Sequence, residues 1–131
     1  MKQFGFFLAA MALLATSSAA QEVDYPDEFN EPMGLYPESM GDFHYPISSA
    51  SELAQQYFDQ GFQLMYAFAK LEAARSFHAA HQADPDCAIC YWGEAWAWGS
   101  YLNGAMTTAE APRAWNALQQ AVARIDKASA K

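Results

Sequence analysis

Two runs decide the fold: Tyr57-Phe58-Asp59-Gln60-Gly61-Phe62-Gln63-Leu64, and Ala73-Ala74-Arg75-Ser76-Phe77-His78-Ala79-Ala80-His81-Gln82-Ala83-Asp84-Pro85. Tyr57, Gly61, Leu64 and Phe68 recur at helical spacing, and after a turn around Ala69-Lys70 the residues Ala73, Phe77 and Ala80 do the same. Two short helices are predicted rather than one. Gly61, Ala73 and Ala80 are small where two helices must approach closely, and Phe77 fills the gap between them. Pro85, inside Asp84-Pro85-Asp86, stops the second helix. Tyr57, Gly61 and Leu64 are echoed 34 residues later by Tyr91, Ala95 and Trp98, an offset typical of stacked helix pairs.

Working outward, Ala88 to Trp98 is predicted as an apolar third helix, and Ala111 to Ile125 as a fourth with Pro112 in its first turn. Ala114, Leu118 and Ala121 answer Ala73, Phe77 and Ala80 after 41 residues, so the second copy carries seven extra residues, placed within Tyr101 to Ala111. Upstream, Ser49 followed by Glu52 matches a capping box, and helical structure is expected to begin there.

The run Tyr57-x3-Gly61-x2-Leu64, Ala73-x3-Phe77-x2-Ala80, Pro85 resembles the tetratricopeptide repeat, although Gln60 and Leu64 stand where that pattern favours Leu and Tyr. The resemblance covers Ser51 to Lys131, more closely in the first copy than in the second. It implies an all-α fold: two tetratricopeptide-like helix pairs, a short α-solenoid, preceded by an irregular acidic arm. The expected organisation is a signal peptide at 1–20, the arm at 21–49 and the helical repeat domain at 50–131. The stretch Asp84-Pro85-Asp86-Cys87-Ala88-Ile89-Cys90-Tyr91-Trp92-Gly93-Glu94-Ala95 also resembles a block of longer exported bacterial repeat proteins, which implies a shortened or fragmentary member. Two copies are few, since about three are usual for burying stacked faces.

The leader reading rests on Met1-Lys2, the apolar run Phe4 to Ala15 and the small residues Thr16 to Ala20. The apolar run falls short of the roughly 20 residues a membrane span needs. Ser18 and Ala20 fit cleavage before Gln21, so a periplasmic or secreted protein is expected, with no membrane span once the leader is removed. The chain carries 7 basic and 15 acidic residues, a net charge of −8; loss of Lys2 takes the mature form to −9. Such a charge disfavours nucleic acid as a partner.

From Gln21 to Ala50 the acids Glu22, Asp24, Asp27, Glu28, Glu31, Glu38 and Asp42 alternate with prolines 26, 32, 37 and 46, and no helical period survives. The aromatics Tyr25, Phe29, Tyr36, Phe43 and Tyr45 are too many for a purely solvated tail, so the arm is expected to pack on something.

The repeat resemblance implies that the first helix of each pair lines a concave face. On this chain that face holds Gln55, Phe58, Phe62, Met65 and Tyr66, then Ile89, Trp92 and Trp96. Both inner helices are then apolar nearly all round, and each needs cover on both sides. Either a partner peptide anchored on these aromatics covers the groove, or the arm or further repeats do.

Cys87 and Cys90 form C-x-x-C at the start of the third helix. Tyr91 stands where covalent haem attachment needs histidine, and no βαβ context supports a thioredoxin-like site. Zinc needs two more ligands, from His44, His78 or His81. A structural disulfide in an oxidising compartment is the simplest account. His78 and His81 are expected as ordinary surface or interface histidines, and Glu94 as a partner of Arg75 or of a helix-end donor. Met33, Met40, Met65 and Met106 are too scattered for a soft-metal cluster. No catalytic set is legible, so no enzyme, cofactor or resident metal is expected. The expected function is a scaffold that binds a protein or peptide through Phe58, Phe62, Met65, Tyr66, Ile89, Trp92 and Trp96. The alternative is a small periplasmic redox or metal-handling protein built on Cys87, Cys90 and the nearby histidines.

Overall fold

A computed structural model describes residues 23–36, 38 and 40–128. The expected leader at 1–20, the start of the arm at Gln21 and Glu22, Pro37, and the chain's last three residues lie outside the described residues. The described chain carries a 3-10 turn (Asp27–Asn30), then α1 (Glu52–Tyr66), α2 (Lys70–Ala83), α3 (Ala88–Trp98), α4 (Ala111–Val122) and the short α5 (Ile125–Ala128). Helix α1 packs on α2, α2 on α3 and α3 on α4, so the fold is all-α and built of adjacent helical hairpins. No helix among the described residues is long and apolar enough to cross a membrane.

Phe77 is the centre of the core, fully buried on α2. A Cβ added to Gly61 would sit 2.9 Å from its ring, and one added to Gly93 only 2.4 Å away. Two glycines, one from α1 and one from α3, thus let both helices close on one phenyl ring. On α3 the closest approach falls on Gly93 rather than on Ala95, the residue that answers Gly61 in the sequence repeat.

Helix α1 starts two residues later than the expected capping box on Ser49. Ser51 is its N-cap, its side chain accepting from the Ala54 amide at 3.2 Å. The Ser49 hydroxyl is committed elsewhere: it donates to Asp84 Oδ2 at 2.5 Å and accepts from the Ser51 amide at 3.1 Å, tying the end of the arm to the α2–α3 turn. Helix α1 ends in a Schellman motif. The Ala69 amide donates to Leu64 O at 3.0 Å and the Phe68 amide to Met65 O at 3.1 Å, with Phe68 left-handed at φ 61°.

Helix α3 starts at the Cys87–Cys90 disulfide, whose Cα atoms are 5.4 Å apart, and both cysteines are fully buried. Helix α4 carries its proline in the first turn and ends at Val122, short of the expected Ile125, where a turn separates it from α5. The long α3–α4 connection falls where the repeat offset placed the insertion. Lys70 holds both of its ends, donating to Gly99 O at 2.9 Å and to Glu110 Oε1 at 3.0 Å.

Candidate functional site

Glutamine and aspartate side chains on α1 fix the arm along the inner face. The Tyr45 amide donates to Asp59 Oδ1 at 2.9 Å and the Ile47 amide to Gln55 Oε1 at 3.0 Å, while Gln55 Nε2 returns a bond to Tyr45 O at 2.8 Å. Residues two apart in the arm thus meet residues four apart on the helix. One helical turn of about 5.4 Å is close to the rise of two extended residues. Further up, Gln60 accepts from the Tyr36 amide at 2.7 Å and donates to Gly34 O at 2.9 Å, and the Tyr57 hydroxyl donates to Met33 O at 2.7 Å. From Met33 to Tyr36 the arm therefore runs in the same direction as α1, and from Phe43 to Ile47 it returns antiparallel to it, its backbone held by side chains of that helix.

Its rings cover half of the aromatic face. Phe43 and Tyr45 both stack on Phe62, with centroids 5.0 and 5.9 Å away. Phe62 in turn meets Tyr66 at 5.4 Å and Trp96 at 5.5 Å, and Trp92 stacks on Trp96 at 5.6 Å. Of the seven groove residues expected from the sequence, Phe62, Tyr66, Trp92 and Trp96 come together. Phe58 and Met65 are buried beneath the face as its support. Ile89 lines a separate cavity with Tyr45, Pro46 and Ile125.

The other half is open. Tyr66 is 69% exposed and Trp92 43%, and a cavity of about 260 Å³ is lined by Met65, Tyr66, Phe68, Trp96, Tyr101 and Leu102. Tyr101 and Leu102 stand in an interhelical connection, where helical periodicity carries no information, so the sequence reading missed them; Phe68, expected in the helical period of α1, stands instead beyond its C-cap and is half exposed. One signal was available for Phe68, an aromatic directly after a helix C-cap where glycine is usual.

A second constellation lies between α2 and α3. Glu94 is fully buried, and its Oε2 accepts from His81 Nε2 at 2.6 Å and His78 Nδ1 at 3.1 Å, while Oε1 accepts from Trp98 Nε1 at 3.1 Å. This overturns the expected pairing with Arg75, whose Nη2 instead donates to Glu31 O at 3.1 Å. The reason is the i, i+3 spacing of the histidines, which turns both imidazoles toward α3. Burial pushes the Glu94 carboxyl up, but hydrogen bonds from His78 and His81 and their charge outweigh it and hold the carboxyl down at about 2. Burial holds His81 below the usual imidazole range, against the pull of Glu94. Burial and the same carboxylate push the Tyr25 phenol well above its ordinary value.

The N-terminal part of the arm roofs this cluster. Tyr25 and Phe29 meet the His78 ring edge-on at 5.1 and 5.2 Å, and Phe29 stacks on Trp98 at 5.5 Å. The Arg113 guanidinium closes the far side over Trp98, 5.1 Å from its ring. The cysteines face neither constellation as free thiols, being bonded to each other and buried, so thiol exchange there requires the helix start to open. Compared with protein-family models, with curated proteins and with solved structures, the chain matches none of them.

Proposed function

We propose that this chain is an exported scaffold of the tetratricopeptide-repeat kind that binds aromatic-bearing peptide segments along the inner face of α1 and α3. The observation that carries this reading is the arm itself. Gln55, Asp59 and Gln60 hold the backbone of a non-helical segment, and Phe62 takes its rings, so the face already binds one such segment in cis. A partner segment then occupies the open half, on Tyr66, Trp92, Trp96 and Leu102. Backbone contacts from side chains supply affinity with little sequence demand, and the aromatic pocket supplies the choice of anchor.

The test is selection of a random peptide library on the purified protein and on a Tyr66→Ala/Leu102→Ser double variant. Both residues are largely exposed, at 69% and 86%, so the variant keeps the fold. The wild type is expected to enrich peptides with an aromatic anchor, and the variant to lose at least about tenfold in affinity for them, the scale of a hot-spot loss. Equal capture by both proteins would remove the open half of the groove from the function.

A further inference from the structure

The buried cluster between α2 and α3 has the donor set of a metal centre. His78, His81 and Glu94 each bring one ligand atom, and these atoms all lie within 4.8 Å of one another. Two imidazole nitrogens and a carboxylate oxygen suit a borderline divalent ion, zinc foremost, and leave a fourth position open. The rings are already oriented: His81 stacks on Tyr91 at 4.0 Å with planes 9° apart, and His78 is gripped edge-on by Tyr25 and Phe29. Trp98 Nε1 holds the second carboxylate oxygen, the kind of outer contact that orients a ligating carboxylate.

Access exists as well. A cavity of about 270 Å³ reaches His78 from the surface, with Glu31, Met33, Arg75 and Gln82 among its walls. The Arg75 guanidinium is the one cation on that wall, and its Nη2 is turned to the Glu31 carbonyl. A net charge of −8 favours the arrival of a cation.

We propose that His78, His81 and Glu94 form a zinc-binding site that clasps α2 to α3 beneath the arm. Binding replaces the two N–H···O contacts to Glu94 Oε2 with two N–Zn bonds and one O–Zn bond. The imidazole proton moves to Nε2 of His78 and to Nδ1 of His81, or leaves for solvent if the ring was charged. No electron is transferred, and water or the Tyr25 oxygen fills the fourth position. The site is independent of the groove, and the cysteines take no part because they are bonded to each other.

The test is calorimetric titration of the metal-free, disulfide-intact chain with Zn²⁺, alongside His78→Gln and His44→Gln. His44 is the control for surface binding, an exposed histidine 2.9 Å from Asp59. One equivalent is expected to bind, His78→Gln to weaken it at least about tenfold, and His44→Gln to leave it unchanged. Because His78 is partly exposed, its variant should fold, and far-ultraviolet circular dichroism checks this. Substitution of Co²⁺ into the wild type gives an independent readout, with intense visible d–d bands expected for a four-coordinate nitrogen–oxygen site. Absence of binding, loss in His44→Gln instead, or binding that appears only after reduction of the disulfide would each overturn the proposal.

Discussion

The two helix pairs obey one repeat and close differently. In the first, α1 and α2 are joined by three residues, Ala67 to Ala69, and meet over Phe77, which is fully buried between Gly61 and Gly93. In the second, Leu118 occupies the place of Phe77, is 39% exposed, and shares an open stripe of α4 and α5 with Trp115, Val122 and Ile125. The spacing within the helices is the same, but Phe77 is swallowed because α1 and α3 each face it with a glycine, whereas Leu118 stays partly in water. Stability therefore concentrates where three helices share one side chain.

That contrast breaks or stands on a pair of truncations. Phe77→Ala is expected to cost about 3–5 kcal/mol, because a buried ring leaves a cavity that two glycine-lined helices cannot collapse into. Leu118→Ala is expected to cost roughly 1 kcal/mol, since much of its surface already meets water. Urea unfolding of both variants measures the gap, and equal losses would show that the second pair is as tightly closed as the first.

The interface between the pairs carries the polar cluster, and its charge state makes the join acid-sensitive. Glu94 and His81 both hold fewer protons folded than unfolded, because the folded-state pKa of each lies below its ordinary value. Their contributions are thus complete above the unfolded histidine value near 6.5 and fall as pH drops, His81 first and Glu94 below about 4.5. Holding Glu94 at about 2 amounts to a loss on the order of 3 kcal/mol across the lower window. The groups facing the cluster are Tyr25, His78, Tyr91, Arg113 and Arg124. In metal-free protein the urea midpoint should fall between pH 7 and pH 5, and His81→Gln should flatten that limb while leaving the steeper loss below pH 4.5. An unchanged limb in the variant would mean that His81 is not the group that titrates.

Next in size is the staple at the start of the second pair. Cys87 and Cys90 close a four-residue loop, for which chain entropy gives about 2 kcal/mol. Cys87→Ser/Cys90→Ser should lose about that much in urea unfolding and keep its peptide capture. Loss of capture with the fold intact would favour chemistry at the cysteines over a scaffold.

The sequence made the helices legible because their packing residues repeat: Gly61, Ala73, Phe77, Ala80 and Pro85 mark the first pair, and the offset of 41 residues located the long α3–α4 connection. The path of the arm was not legible, since nothing in its composition says that Gln55, Asp59 and Gln60 will bind its backbone across up to 26 residues of sequence. The partners of Glu94 were equally hidden. Arg75 has the opposite charge and was the natural candidate, but helical phase turns His78 and His81 toward α3 and leaves Arg75 facing the arm. Periodicity names the faces of a helix; which polar group wins a buried carboxylate depends on the rotation between two helices, which one chain's periodicity does not encode.

The smallest effect concerns the two helix ends, where glycine and phenylalanine stand in unexpected places. Helix α3 ends at Gly99 with an ordinary φ of −71°, whereas α1 ends at Phe68 with φ 61°. A non-glycine residue in that left-handed region costs about 1 kcal/mol or slightly more, and Phe68 recovers little by burial because half of it is exposed. Phe68→Gly should therefore raise stability by about 1 kcal/mol, a change that urea unfolding resolves. It should also weaken peptide capture, since it removes one wall of the open pocket shared with Tyr66, Trp96 and Leu102. Opposite signs in the two assays mark a residue kept for binding at the expense of folding. A gain in stability with unchanged capture would leave the strained phenyl without a function and narrow the binding face to α1, α3 and Leu102.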